Sequence, residues 1–179
     1  MDKFDPKHQK TADTMYKVLL LLTFLCLFAC KTSSNDATEE IARLEANLAE
    51  SPSQETLQQL LVLYQEMASQ TKDSKRLDYL WKAGETARAV RDFAAAEKIF
   101  EDIYENHPDN ELASKALFLH AFMCDEDLKQ YDRAKELYVM FMDKYPDSDF
   151  ADDAEFLLTN IGKSDEEMLE LLSKSQEQK

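Results

Sequence analysis

The stretch Phe93-Ala-Ala-Ala96-Glu-Lys-Ile-Phe100-Glu-Asp-Ile103-Tyr-Glu-Asn-His107-Pro108-Asp109 has a second copy downstream. It is Tyr131-Asp-Arg-Ala134-Lys-Glu-Leu-Tyr138-Val-Met-Phe141-Met-Asp-Lys-Tyr145-Pro146-Asp147. Aromatic, alanine, aromatic, large apolar residue, ring, proline and aspartate all recur at an offset of 38. A fixed period of this size predicts a stacked repeat architecture. Spacings of three and four put Phe93, Ala96, Phe100 and Ile103 on one face of a helix. The alanine lets a neighbouring helix approach closely, and the aromatics fill the space between neighbours. Pro108 and Pro146 end the two helices, because a proline disfavours helical backbone in the residue before it.

Working outward, Asp73 or Ser74 caps a helix to about Val90, and Arg91-Asp92 is a tight turn into Phe93. Asn110 caps a helix through about Leu128, and Asp149 opens one to about Ile161. Gly162 suits the left-handed position just past a helix end. Ser164-x-x-Glu167 reads as a capping box, followed by an apolar side of Met168, Leu171 and Leu172. That last helix is expected to cap the open end of the stack, with a frayed tail, over 163–179. Upstream, Asp36-x-x-Glu39 reads as the capping box of a first helix with the stripe Ile41, Leu44, Leu48. Ser51-Pro52-Ser53-Gln54 predicts a second, with Ser51 as cap and Pro52 at its first position. Its stripe is Leu57, Leu60, Leu61, Tyr64, Met67.

The landmarks resemble the tetratricopeptide repeat, in which two antiparallel helices pair and the second carries Tyr, Ala, aromatic and Pro. The likeness lies in Tyr131, Ala134, Tyr138 and Pro146, and again in Phe93, Ala96, Phe100 and Pro108. Leu80, Ala83, Gly84 and Ala87 stand where that family's first helix prefers Trp, Leu, Gly and Tyr. Phe118, Ala121 and Phe122 are a fainter echo, which fits only with one extra residue before Tyr131. Tyr145-Pro-Asp-Ser148 with Ala151 and Ala154 is similar to repeats of bacterial envelope proteins. Those are the periplasmic partner of the Tol-Pal system and a lipoprotein of the outer-membrane barrel-assembly machine. The resemblance implies an all-α, tetratricopeptide-like helical-hairpin solenoid, with a helix pair at 37–72 and the repeats at 73–162.

The N-terminus points to an address. Val18 to Cys30 is apolar except for Thr23. It is short of the ~20 residues of a membrane span and suits a secretory signal core behind Lys17. Its end, Leu27-Phe28-Ala29-Cys30, resembles the lipobox of bacterial lipoproteins, although Phe28 is bulkier than usual there. The expectation is a signal peptide at 1–29, with Met15 as a possible true start, lipidation on Cys30, and a polar tether over 30–36. Cys124 is then the one remaining thiol, so no disulfide framework is expected.

Composition excludes more than it selects. Only Gly84 and Gly162 are glycine, which starves hairpin turns and phosphate-cradling loops. Formal charge is −15, and a chain this acidic is a poor binder of nucleic acid. With His8, His107 and His120 the whole histidine complement, no catalytic triad can be assembled, and no metal-ligand spacing is present. The expectation is therefore no enzymatic activity, no catalytic residue, no metal, no cofactor and no small-molecule substrate.

A binding surface is the better reading. In tetratricopeptide proteins the first helices of the pairs line a concave groove for a partner's segment. Trp81 and Phe118 hold corresponding places in two such helices, and Glu85 and Arg88 follow Trp81 on the same side. Core packing and groove both remain open for the two aromatics. The expected protein is a membrane-anchored, protein-binding scaffold of the bacterial envelope, at the outer membrane and on its periplasmic face. Two alternatives stand beside it: an oligomer-forming adaptor using the apolar 41–67 helices, and an accessory subunit of a peptidoglycan-acting enzyme.

Overall fold

A computed structural model describes residues 34–72, 74–164, 166–167 and 169–170. The expected signal peptide at 1–29, Cys30, Asp73, Met168, Leu171, Leu172 and the tail lie outside the described residues. Residues from Thr38 onward form one compact unit, and the packing described below is within it.

Among the described residues the α-helices run in order: α1 Ser34–Glu50, α2 Gln54–Gln70, α3 Lys75–Ala89, α4 Phe93–Asn106, α5 Glu111–Phe122, α6 Tyr131–Lys144 and α7 Ala151–Asn160. A π-helical segment, Met123–Asp127, continues α5. No strand occurs among the described residues. From α2 on, each helix packs on the next, and α3 also meets α5. The chain is an all-α, tetratricopeptide-like helical solenoid.

The repeated stretch decides the packing as its spacing requires. Ala96, Ile99, Phe100 and Ile103 are buried on α4, and Ala134, Leu137, Tyr138 and Phe141 on α6. These are four pairs at the offset of 38. Both helices stop alike. His107 and Tyr145 leave helical geometry with φ near −135° (−137° and −134°), and their N–H groups donate to the carbonyls of Ile103 and Phe141. The prolines follow at once.

The first helices keep a different offset. Leu80, Ala83, Gly84, Thr86 and Ala87 correspond to Leu117, His120, Ala121, Met123 and Cys124, at 37, and all ten are buried. Trp81 packs on Phe100 with ring centroids 6.2 Å apart, as Phe118 does on Tyr138 at 6.3 Å. The extra residue before Tyr131 is taken up in the π segment. There the Leu128 N–H donates to Met123 O at 3.0 Å, one residue wider than an α turn. One widened turn lets α5 and α6 both keep phase with their sisters.

Both hairpins then turn on a residue with positive φ, Arg91 (64°) and Lys129 (54°). After α3 the turn is a Schellman motif: Asp92 N–H donates to Ala87 O, and Arg91 N–H to Arg88 O. A non-glycine in this position gives no sequence signal of the usual kind.

Several predicted ends are corrected. α1 is already helical at Ser34, so Asp36 sits in its first turn instead of capping it, and the last part of the expected tether is helix. Ser53, not Ser51, caps α2: its side chain accepts from Thr56 N–H, and Pro52 lies before the cap. Ser74 precedes α3 without a side-chain cap bond. Phe150, not Asp149, stands at the start of α7. By contrast Gly162 has φ 73°. Ser164 and Glu167 exchange the two bonds of a capping box, at 2.8 and 3.3 Å. The side chain of Leu169 is largely exposed.

Candidate partner-binding site

The four residues singled out for a groove fall into two environments. Trp81 is half-buried. One side of its ring rests on Phe100, and it lines a pocket of about 410 Å³ with Lys75, Asp78, Tyr79, Lys82 and Leu112. The pocket spans the N-terminal halves of α3 and α5, the two first helices. Its wall is stiffened from behind. Lys82 Nζ and Tyr64 Oη both donate to Glu45 Oε1 at 2.6 Å. The Lys82 ammonium and then the Tyr64 hydroxyl hold the Glu45 carboxyl below its ordinary range. An aromatic body with a polar rim is the composition of an anchoring pocket.

Phe118 has less freedom. It is half-buried at the centre of a ring cluster. It stacks on Phe150 at 4.9 Å and Phe122 at 6.3 Å, and meets Phe141 edge-on at 5.8 Å. This cluster ties α5 and α6 to the turn before α7. Arg88 of α3 joins it, its guanidinium 5.2 Å from the Phe122 ring centroid. Arg88 Nε also donates to Asp127 Oδ2 at 2.5 Å. The structure thus brings Arg88 and Phe118 together on Phe122, and neither lines the Trp81 pocket. Glu85 lies between them on α3 with much of its surface open, and partial burial of its carboxyl raises its pKa.

Two features of this region escaped the sequence reading. One is the π segment, whose only trace was the misfit of one residue before Tyr131. The other is its buried Asp125, whose carboxyl feels the Gly162 backbone just past the end of α7. Burial first, and the Glu126 charge second, raise the Asp125 carboxyl above its ordinary range.

Little else invites chemistry. Burial pushes the Cys124 thiol up to about 11, which suits packing and not nucleophilic attack. His107 accepts from Arg76 at 3.0 Å, and Arg76 also pairs with Asp102 at 2.8 Å. Among the described residues no group of three His, Cys, Asp or Glu is placed to hold a metal ion. Among them too, no helix is long and apolar enough to cross a membrane.

Residues 115–148 match a family model described as the tetratricopeptide repeat. The match covers most of α5, the π segment, α6 and the Pro146 turn. No curated protein and no solved structure matches the chain. A repeat of this kind supports a role in protein–protein interaction, and its sister hairpin, α3–α4, carries the Trp81 pocket.

Proposed function

We propose that this protein is a non-enzymatic, membrane-anchored scaffold of the bacterial envelope, whose repeat array takes a segment of a partner protein on the α3–α5 side. The observation that carries the binding role is the half-buried Trp81 in a pocket between two first helices. It offers an aromatic anchor that the core has not consumed. Anchoring rests on the resemblance of Leu27 to Cys30 to a lipobox. A lipobox lipoprotein carries several acyl chains, enough for stable attachment. Lys31 differs from the Asp that retains such proteins at the inner membrane, so the outer membrane and its periplasmic face are the proposed address. Resemblance to barrel-assembly and Tol-Pal repeat proteins suggests a part in envelope assembly or maintenance.

The test is a membrane pull-down of the chain beside Trp81→Ala and Cys30→Ser variants, read by mass spectrometry. The expected result is one envelope complex, lost in a Trp81→Ala chain that keeps its helical circular dichroism. Cys30→Ser should shift the chain out of the membrane fraction. Retention of every partner by Trp81→Ala would move the binding surface elsewhere. Unchanged membrane association of Cys30→Ser would remove the lipid anchor from the proposal.

A further inference from the structure

His120 is the one buried histidine among the described residues, with no exposed surface, at the joint between α4 and α5. The Tyr104 hydroxyl of α4 lies 3.3 Å from Nδ1. Nε2 finds no hydrogen-bond partner, and the nearest carboxylate oxygen, Glu97 Oε1 of α4, stops at 3.6 Å. Buried polar atoms are nearly always satisfied, so this nitrogen needs a reason. The fold does not supply one. The sister position is Ala83, equally buried, in a hairpin that works without an imidazole.

We propose that His120 makes the α4–α5 joint acid-labile, so that protonation loosens the contact between the two repeat hairpins while leaving each hairpin intact. With Tyr104 donating to Nδ1, the ring proton of the neutral imidazole sits on Nε2. A second proton must go on Nδ1, so the Tyr104 hydroxyl must reverse its bond. The new charge then sits on a ring with no exposed surface. Glu97 opposes this cost only partly, because its side chain is 46% exposed and outside bonding distance. Arg133 of α6 adds to the cost, and the Cys124 thiol on the following turn feels the same Glu97 and Arg133 charges. Burial is the largest influence and holds the imidazole below its ordinary value.

The sign follows. A histidine whose folded pKa is depressed leaves stability untouched while both states are neutral. Stability is lost as pH falls below the unfolded value of ~6.5, because only the unfolded chain takes up the proton. The loss levels off below the folded value. Asp125 and Glu85, both raised, act in the opposite direction on acidification. A comparison of variants therefore isolates the histidine. The proposal does not depend on which partner occupies the Trp81 pocket.

The experiment is amide hydrogen exchange on the full chain, expressed as protection factors, from pH 7.5 to 5. Amides of 116–121 and 99–104 should lose protection several-fold, while those of 80–87 in the sister hairpin hold. His120→Gln should abolish the selective loss. Glu97→Gln, at an open position, should enlarge it. Uniform change across both hairpins, or the same loss in His120→Gln, would overturn the proposal. Should His120→Gln fail to fold, the imidazole is titrated in the wild type by NMR. A pKa below that of an unfolded control supports the device, and one at or above it ends it.

Discussion

The hairpins α3–α4 and α5–α6 are two solutions to one packing problem. In both second helices the same four positions, at the offset of 38, are buried. The first helices differ in what meets the second. Gly84 faces Phe100 so closely that an added Cβ would stand 2.6 Å from Cε1. Its sister Ala121 already carries that methyl. The second hairpin has one residue more, and the widened turn at 123–127 holds it where α5 ends. The difference teaches where a helical repeat tolerates insertion. A π turn that carries the last buried positions of the first helix, Met123 and Cys124, leaves every landmark of the second in phase.

The largest expected effect tests whether the landmarks are equivalent. Ala96 and Ala134 have no exposed surface. A glutamate at either is an unpaired charge between helices. Ala96→Glu and Ala134→Glu should each cost about 4 kcal/mol, or roughly 10 °C in Tm, measured by circular dichroism melting. If one variant melted as the wild type does, the two helices would not be copies in the physical sense.

A smaller effect sharpens the difference at the glycine. Gly84→Ala gains about 1 kcal/mol of helix propensity but forces Phe100, which has no exposed surface, out of place. Overpacking of this kind costs ~1–3 kcal/mol, so a net loss of about 1 kcal/mol is expected in urea unfolding. Ala121→Gly should lose a similar amount for the opposite reason, a lost methyl and a weaker helix. A stabilised Gly84→Ala would show that the Phe100 ring has room to move, and that the close approach does not require glycine.

Fold and second helices were legible because apolar spacing and proline punctuation are local signals. Phe100, Tyr138 and the helix stops at His107 and Tyr145 all stand where the spacing put them. What escaped was set by backbone geometry that residue type does not announce. The Schellman turn places Arg91 at positive φ, where composition would ask for glycine. Ser53 and not Ser51 caps α2, a choice between adjacent candidates that a pattern cannot make. The π segment left only a misfit of one residue. The site was half legible for the same reason. Spacing put Trp81, Glu85 and Arg88 on one side of α3. Only the fold shows that Arg88 is engaged by Asp127 and Phe122, and that Phe118 is held among four other rings.

The smallest effect asks whether that engagement is the price of the insertion. Asp127 lies in the widened turn, where its Oδ2 accepts from Arg88 Nε of α3. Arg88→Met keeps the aliphatic stem over Phe122 but removes the cation and the donor to Asp127. Both side chains are partly open, at 30% and 23%. The ion pair and the contact with the ring should therefore contribute about 1 kcal/mol together. Asp127→Asn should cost somewhat less. A double-mutant cycle gives the pairwise share, and most of the arginine's effect should appear as coupling. Coupling near zero would mean that the ion pair adds nothing here, and that Arg88 ties the two hairpins together at this point through the Phe122 ring alone.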